Sequence, residues 1–126
     1  SATLYCGMDY YKQNKDEVVM KMAAMAKKLE PDFVLCGPCF NFPEYSEMAA
    51  RCAKLISEKT TVKVASMMAI ENQEVIVQYK NDIAILKMPK KGETGLSESF
   101  ENLAKFIDTS INYPEKLECI KEIICY

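Results

Sequence analysis

The stretch FVLCGPCFNF contains Cys36 and Cys39 with two residues between them, a spacing suited to thiol-disulfide exchange. A thiolate at the start of a helix is stabilised by the unpaired amide groups and the positive end of the helix dipole, which lower its pKa and make it a nucleophile. A strand end followed by a helix start would give the two cysteines roughly that geometry. The stretch therefore predicts either a redox-active pair or two half-buried cysteines in a binding loop.

The residues around the two cysteines favour the binding loop. Glycine and proline are also the spacer of thioredoxin, but a thioredoxin-like domain needs a later proline at the start of a strand, and Pro89 follows a predicted strand here. A proline at position 43 would also be an unusual residue early in the thioredoxin helix, because proline within a helix removes a hydrogen bond. A thiol-disulfide oxidoreductase that uses Cys36 and Cys39 stays the alternative.

The composition excludes several other kinds of site. The sequence has no histidine, which removes the commonest general base and the commonest metal ligand. Only one Cys-x-x-Cys pair is present, so we expect no four-thiolate zinc site and no metal. The formal net charge of -2 gives no electrostatic attraction for nucleic acid or for an anionic membrane surface.

Length and hydrophobicity predict one α/β domain over residues 1–126. No apolar run approaches the roughly 20 residues of a membrane-spanning helix, and the first residues lack a signal-peptide pattern. The six cysteines are expected to be reduced thiols, which indicates a cytoplasmic protein. Because the sequence starts without methionine and runs directly into a predicted strand, we expect a processed protein or a piece of a longer subunit.

Hydrophobic patterning predicts strands that alternate with helices. The predicted strands cover residues 2–6, 33–36, 62–67 and 83–88. Helices are predicted over residues 15–29, from 44 or 45 to 58, 71–79 as a short helix or turn, 97–108 and 114–125. The first of these begins with Asn14 as N-cap and Glu17 at the capping-box position. The alternation predicts a mostly parallel sheet of about four strands with helices on both faces, a Rossmann-like three-layer sandwich.

Three loops follow the first three predicted strands, and ligands of such sheets bind beyond the carboxyl ends of the strands. The loops read CGMDYY from residue 6, CGPCFNFPEY from residue 36 and MMAIENQ from residue 67. Gly7 and Gly37 would let the backbone approach a ligand closely, and the Asn41 amide offers both donors and acceptors. Aromatic walls that could cover a methylated ammonium by cation–π attraction would come from Tyr10, Tyr11, Phe40 and Tyr45. In the structural alternative, Asn41 is only a turn residue and the tyrosines belong to the core or to an interface.

Read together, these loops resemble the component B subunit of glycine, sarcosine and betaine reductases, a proprotein that is cleaved into alpha and beta chains. ATLYCGMDYYKQNKDE is similar to the family's A-T-V-x-C-G-D-N-Y-F-x-E-N, PDFVLCGPCFNFPEY to P-D-L-x-x-A-G-P-A-F-N-A-G-R-Y, and VKVASMMAIEN to I-P-V-V-T-G-M-x-x-E-N-P-G. The match spans residues 2–88. The resemblance implies a substrate-binding set of Cys6, Gly7, Asp9, Tyr10, Gly37, Pro38, Phe40, Asn41, Tyr45, Glu71 and Asn72.

The sequence departs from that family pattern at several positions. Asp9 stands where the family has asparagine, and Glu44 stands where it has arginine, which reverses a charge near the expected pocket. Cys36 and Cys39 replace alanines, so the resemblance explains the two cysteines as substitutions within a G-P-x-F-N loop.

The resemblance also implies a setting for the chain in anaerobic amino acid metabolism. The family's reductases act as complexes that use a partner subunit's selenocysteine and a pyruvoyl group made by self-cleavage downstream of the matched region. Neither cofactor is expected in this chain. It would then be one domain of a reductase subunit, inactive alone, which binds a small amino acid derivative or contacts other reductase subunits, a selenoprotein among them. A non-catalytic interaction domain is the remaining alternative.

Overall fold

Three parallel strands form the central sheet of the chain, whose computed structural model describes residues 1–126. The strands are β1 (Phe33–Cys39), β2 (Lys63–Ala69) and β3 (Ile85–Met88), side by side in that order. The helices are α1 (Met8–Gln13), α2 (Lys15–Leu29), α3 (Pro43–Lys59), α4 (Gln73–Tyr79), α5 (Leu96–Asn112) and α6 (Leu117–Ile124). Single 3-10 turns cover Ile70–Asn72 and Pro114–Lys116.

Helices cover both faces of the sheet, as the alternation of elements predicted. Met67 and Met68 of β2 are both completely buried and point to opposite faces, because side chains alternate along a strand. Met67 belongs to an apolar cluster with Phe106 of α5 and Ile124 of α6. Met68 belongs to a second cluster with Ala49 of α3 and with α4. The α/β class and the three-layer arrangement are therefore confirmed.

The predicted strand over residues 2–6 is wrong. This segment has no regular secondary structure, and residues 1–6 make no backbone–backbone hydrogen bond. Tyr5 is 89% exposed. Its apolar residues suggested a strand, but a short segment becomes a strand only where a neighbouring strand pairs with its backbone, and none does so here. The sheet consequently has three strands instead of four.

The start of α2 differs from the prediction in its capping. Asn14 occupies the N-cap position, but its side chain donates a hydrogen bond back to the carbonyl oxygen of Tyr10 at 3.1 Å. Glu17 forms an ion pair with Lys21 at 2.8 Å, one turn further along α2, so no capping box forms. The cause is α1, a helix where a loop was expected, which ends at Gln13 and places the Tyr10 carbonyl within reach of Asn14.

The last residues of the chain close the side of the sheet beyond β3. The backbone N–H of Tyr126 donates to the Ile85 carbonyl oxygen at 3.0 Å, and Cys125 forms an antiparallel bridge with Leu86. The Tyr126 hydroxyl donates to the Met68 carbonyl oxygen at 2.8 Å. No helix in the chain combines the length and apolar character needed to cross a membrane.

Candidate binding site at the carboxyl ends of the strands

Asn72 joins the turn after β2 to the end of β1. Its Nδ2 donates to the carbonyl oxygens of Phe40 at 2.8 Å and Ala69 at 3.1 Å, and its Oδ1 accepts a hydrogen bond from the Ser46 hydroxyl at 2.6 Å. Carbonyl oxygens only accept, so this is the one amide orientation that satisfies every group. Because Asn72 is buried and these bonds use its polar atoms, the side chain positions the two loops and presents no free group to a ligand.

Ser46 was missed by the sequence analysis, although it completes this arrangement. It lies in the first turns of α3 and is completely buried, where a serine is usually interpreted as a solvated helix residue. Its partner is 26 residues away along the chain. Only the proximity of the α3 start to the end of β2, which the fold creates, makes the two residues neighbours.

Gly37 allows β1 and β2 to approach each other closely. Its φ of +133° lies in a region that residues with a side chain rarely adopt. A Cβ atom at this position would lie 2.6 Å from the carbonyl oxygen of Met67. The following peptide bond to Pro38 is cis, and the strand pairing shifts register between Cys36 and Cys39. The loop predicted from Gly37 is thus still part of β1, which continues to Cys39.

The polar groups available to a ligand lie on the two adjoining turns. Asn41 and Glu71 are exposed, and Phe42 and Ile70 are 50% and 44% exposed. We call these four residues the strand-end surface. The other predicted residues of the second loop are less available, because Phe40 packs against the core cluster of α5 and Tyr45 packs against clusters beneath α3. Pro38 is half-buried within β1.

The predicted first loop reaches this region only through α3. Gly7 is the N-cap of α1, Asp9 is exposed in its first turn, and the half-exposed Tyr10 contacts Glu17 through its hydroxyl at 3.5 Å. Lys12 forms an ion pair with Glu44 at 3.5 Å, in the first turn of α3. The structure therefore joins the second and third loops directly, whereas the first loop is joined to them by the α1–α3 contact. Cys6 packs against the apolar cluster below α1.

Beneath that contact lies Tyr11, which is completely buried. Its hydroxyl donates to Glu47 Oε1 at 2.5 Å, and Lys15 Nζ lies 3.0 Å from the same oxygen. Burial raises the pKa of Tyr11 above its ordinary value, and the Glu47 carboxylate raises it further. Burial alone would raise the pKa of Glu47, but the bonds from Tyr11 and Lys15 outweigh it and hold that pKa below its usual value. This network fixes α1 and the start of α2 on α3.

The thiols of the Cys-Gly-Pro-Cys stretch lie in apolar surroundings. Burial raises the pKa of Cys39 to about 12 and raises the pKa of Cys36 well above the ordinary value. Both residues are free cysteines within β1, and α3 begins only at Pro43. Both groups are consequently neutral thiols at pH 7, which makes them poor nucleophiles.

Neither of two surface grooves includes a residue of the strand-end surface. One, of about 420 Å³, lies between α2 and α3 and is lined in part by Val19, Met20 and Leu55. The other is polar and lies at the opposite, amino ends of β1 and β2. No group of three or more His, Cys, Asp or Glu side chains is arranged to hold a metal ion. The strand-end surface is thus an exposed surface and belongs to neither groove.

Comparisons with known proteins agree with the resemblance found in the loops. The chain is 31% identical over 106 residues to the sarcosine reductase complex component B subunit beta of Peptoclostridium acidaminophilum, covering 84% of this chain and 24% of that protein. It is 30% identical over 84 residues to the betaine reductase complex component B subunit beta of the same organism, covering 67% of this chain and 19% of that protein. The chain is also 29% identical over 84 residues to the glycine reductase complex component B subunit gamma of Carboxydothermus hydrogenoformans, covering 67% of this chain and 19% of that protein.

These relatives are much longer than the chain, which spans about a quarter of their length or less. No solved structure matches it. The sequence model for the glycine/sarcosine/betaine reductase selenoprotein B family matches residues 1–123. The chain therefore belongs to the glycine/sarcosine/betaine reductase selenoprotein B family.

Proposed function

We propose that this chain is a domain of a component B subunit in a glycine, sarcosine or betaine reductase complex, and that its strand-end surface forms one wall of the site for a small amino acid derivative. The observation that supports this most is the Asn72 side chain, which holds the turns after β1 and β2 together. It holds Phe40, which precedes Asn41 and Phe42 in the chain, next to Asn72, which follows Ile70 and Glu71.

The exposed groups of this surface suit a small zwitterion. The Asn41 amide can donate to a carboxylate, and the Glu71 carboxylate attracts an ammonium group. The exposed ring of Phe42 offers a face to a methylated ammonium, which an aromatic quadrupole attracts. Glycine, sarcosine and betaine all combine a carboxylate with an amine or ammonium centre, so the same three groups could contact each of them.

An open surface forms only part of such a site. Small-molecule sites normally enclose most of the ligand, and neither described groove contains these four residues. The relatives are about three and a half times as long as this chain, because 106 aligned residues cover 24% of one of them. In the proposal, other segments of the subunit or of the complex form the opposite wall, and binding to this chain alone is weak.

Amide NMR spectra of the 15N-labelled chain, recorded during titration with betaine, sarcosine and glycine, test the proposal. We expect saturable shifts confined to residues 39–42 and 70–72. Asn41→Ala should reduce the apparent affinity, and the matched control Asn81→Ala, an exposed asparagine outside this surface, should leave it unchanged. Shifts no larger than those caused by sodium chloride at the same concentration would overturn the binding role.

A subunit interface at the same place is the second candidate, because Phe42 and Ile70 expose apolar area there. In that case the other subunits of a reductase complex should broaden the signals of residues 41, 42, 70 and 71 without any amine present. The thiol-disulfide alternative has less support, because Cys36 and Cys39 are buried neutral thiols. A chain that reduces insulin disulfides, and loses this activity in Cys36→Ser, would favour that alternative over both others.

A further inference from the structure

Cysteines from three different parts of the fold meet in one apolar cluster. Cys52 of α3 is 6% exposed and is part of this cluster with Tyr11 and Met48. Cys6 from the N-terminal segment and Cys36 from β1 pack against the same cluster. All are free thiols. Burial is the main cause that raises the pKa of Cys52 to about 11, and the nearby Cys6 thiol contributes to it.

Cys6 is the residue of the N-terminal segment, residues 1–7, that packs against a buried apolar cluster of the fold. Residues 1–6 make no backbone–backbone hydrogen bond, and the side chains of Leu4 and Tyr5 are exposed. The Cys6 thiol donates only to the carbonyl oxygen of Gly7, at 3.3 Å. Apolar packing of Cys6 below α1 thus joins this segment to the core without any backbone hydrogen bond.

We propose that Cys6 and Cys52 form a reversible disulfide that fixes the N-terminal segment onto α3. Cys6 is partly exposed and Cys52 is buried, so a low-molecular-weight disulfide reaches Cys6 first. The Cys6 thiolate attacks one sulfur of that disulfide, which forms a mixed disulfide and releases one thiol. Cys52 then loses its proton and attacks the Cys6 sulfur, which releases the second thiol. The raised pKa of Cys52 makes this step slow, and its packing in the same cluster as Cys6 compensates through proximity. Two protein thiols are oxidised and one small disulfide is reduced to two thiols, and an excess of dithiol reverses the reaction.

Cys36 is a less suitable partner for Cys52 than Cys6. A disulfide needs its two Cα atoms about 4.4–6.8 Å apart and a restricted dihedral angle, so at least one residue must be able to adjust. Cys36 is fixed in β1 by pairing with Ser66 of β2, whose hydroxyl donates to the Cys36 carbonyl oxygen at 2.8 Å. Cys6 lies in a segment without backbone hydrogen bonds and can adjust.

Peptide mapping distinguishes the possible pairs, because trypsin separates the relevant cysteines. Cleavage after lysine and arginine places Cys6 in residues 1–12, Cys36 and Cys39 in residues 29–51, and Cys52 in residues 52–54. The chain is incubated with oxidised glutathione, quenched with N-ethylmaleimide at low pH, digested and analysed by mass spectrometry. We expect residues 1–12 linked to residues 52–54 as the main disulfide, and its loss with dithiothreitol. A stable glutathione adduct on Cys6, or a link from residues 29–51 to residues 52–54, would overturn the proposal.

Two cysteine-to-serine variants distinguish loss of the disulfide from a folding defect. Cys6→Ser changes a residue outside regular structure and should abolish the cross-link, whereas Cys119→Ser, an exposed cysteine on α6, should not. The amide 15N order parameters of residues 2–7 should rise in the oxidised wild-type chain, and unchanged order parameters would mean that the bond does not fix the segment. The proposal does not depend on small-molecule binding, so either can fail alone.

Discussion

The Asn72 side chain donates a hydrogen bond to the Phe40 carbonyl oxygen at 2.8 Å, across 32 residues of sequence. This bond connects the turn after β2 with the residue that follows β1. Since Ser46 of α3 donates to the same side chain, three elements meet at one buried amide. The shape of the strand-end surface therefore depends on a residue that is not itself exposed.

Replacement of Asn72 by alanine should destabilise the chain by about 2 kcal/mol. The substitution removes the side-chain donor from the Phe40 and Ala69 carbonyl oxygens, and an unsatisfied buried polar group costs roughly 1–3 kcal/mol. The Ser46 hydroxyl can still donate to the Phe42 carbonyl oxygen at 2.9 Å. Urea unfolding followed by circular dichroism measures the change. Asn41→Ala is the matched control, because Asn41 is exposed, and should change the free energy of unfolding by no more than about 0.5 kcal/mol. Equal effects of the two substitutions would contradict the positioning role.

Asn72→Asp should make stability depend on pH. A carboxylate at this position would face the carbonyl oxygens of Phe40 and Ala69, which repel it, so its pKa in the folded state should lie above the unfolded value of about 3.9. Any stabilisation that the new side chain gives to the folded state is then fully present below the unfolded pKa. It is lost as pH rises through the folded pKa. The difference in unfolding free energy between this variant and the wild-type chain should grow from pH 4 to pH 8. A difference that is constant over this range would show that the carboxylate does not face those oxygens.

Sequence periodicity predicted most of the fold because it reports burial on a helix face or a strand. The helix over residues 15–29 and the three strands that form were found in this way, with ends within about three residues of the observed ones. The strand predicted over residues 2–6 does not form, because apolar character does not specify which strand would pair with it. Its Tyr5 is almost fully exposed, which no local pattern indicated.

The positions of the candidate site residues in the fold were easier to predict than their burial and hydrogen bonds. The rule that ligands bind at strand ends, together with the loop resemblance, pointed to Asn41, Glu71 and Asn72, which do follow β1 and β2; that they bind a ligand stays a prediction. It could not separate exposed residues from buried ones, since the Asn72 amide is used inside the protein while Asn41 is exposed. Ser46 was missed because its hydrogen bond depends on the tertiary approach of α3 to the end of β2.

Gly37→Ala should be strongly destabilising, with a loss of roughly 3 kcal/mol, because it combines an unfavourable positive φ with a steric clash. The new Cβ would lie 2.6 Å from the Met67 carbonyl oxygen, a backbone atom of the paired strand that cannot move without disturbing β2. Gly92→Ala is the control, since Gly92 has a φ of +88° but no atom within 4 Å of such a Cβ, and should cost about 1 kcal/mol. Thermal and urea unfolding compare the two variants. Similar losses would mean that backbone conformation alone, and not the close approach of β1 to β2, requires glycine.

Tyr11→Phe should cost about 1.5 kcal/mol at neutral pH, because it removes a hydrogen bond to the Glu47 carboxylate. The pKa of Tyr11 is raised on folding, so its contribution is fully present below the unfolded pKa of about 10 and is lost as pH rises above that value. The stability difference between wild type and variant should therefore be constant from pH 7 to pH 9 and should shrink above pH 10. Tyr5→Phe, at an 89% exposed position, should match the wild type throughout. A Tyr11→Phe difference that does not change above pH 10 would contradict the assignment of the bond.

The thiols of the Cys-Gly-Pro-Cys stretch should react slowly with iodoacetamide. With a pKa of about 12 the Cys39 thiol has roughly a thousandfold less thiolate at pH 8 than an ordinary cysteine with a pKa near 8.5, and burial restricts access further. Cys119 on α6 is exposed and serves as the internal reference. Quantitative mass spectrometry of residues 29–51 and of residues 117–121 after timed labelling gives both rates from one sample. Modification of residues 29–51 faster than that of Cys119 would show a thiolate with a lowered pKa, and would favour the redox interpretation of Cys36 and Cys39 over the binding-loop interpretation.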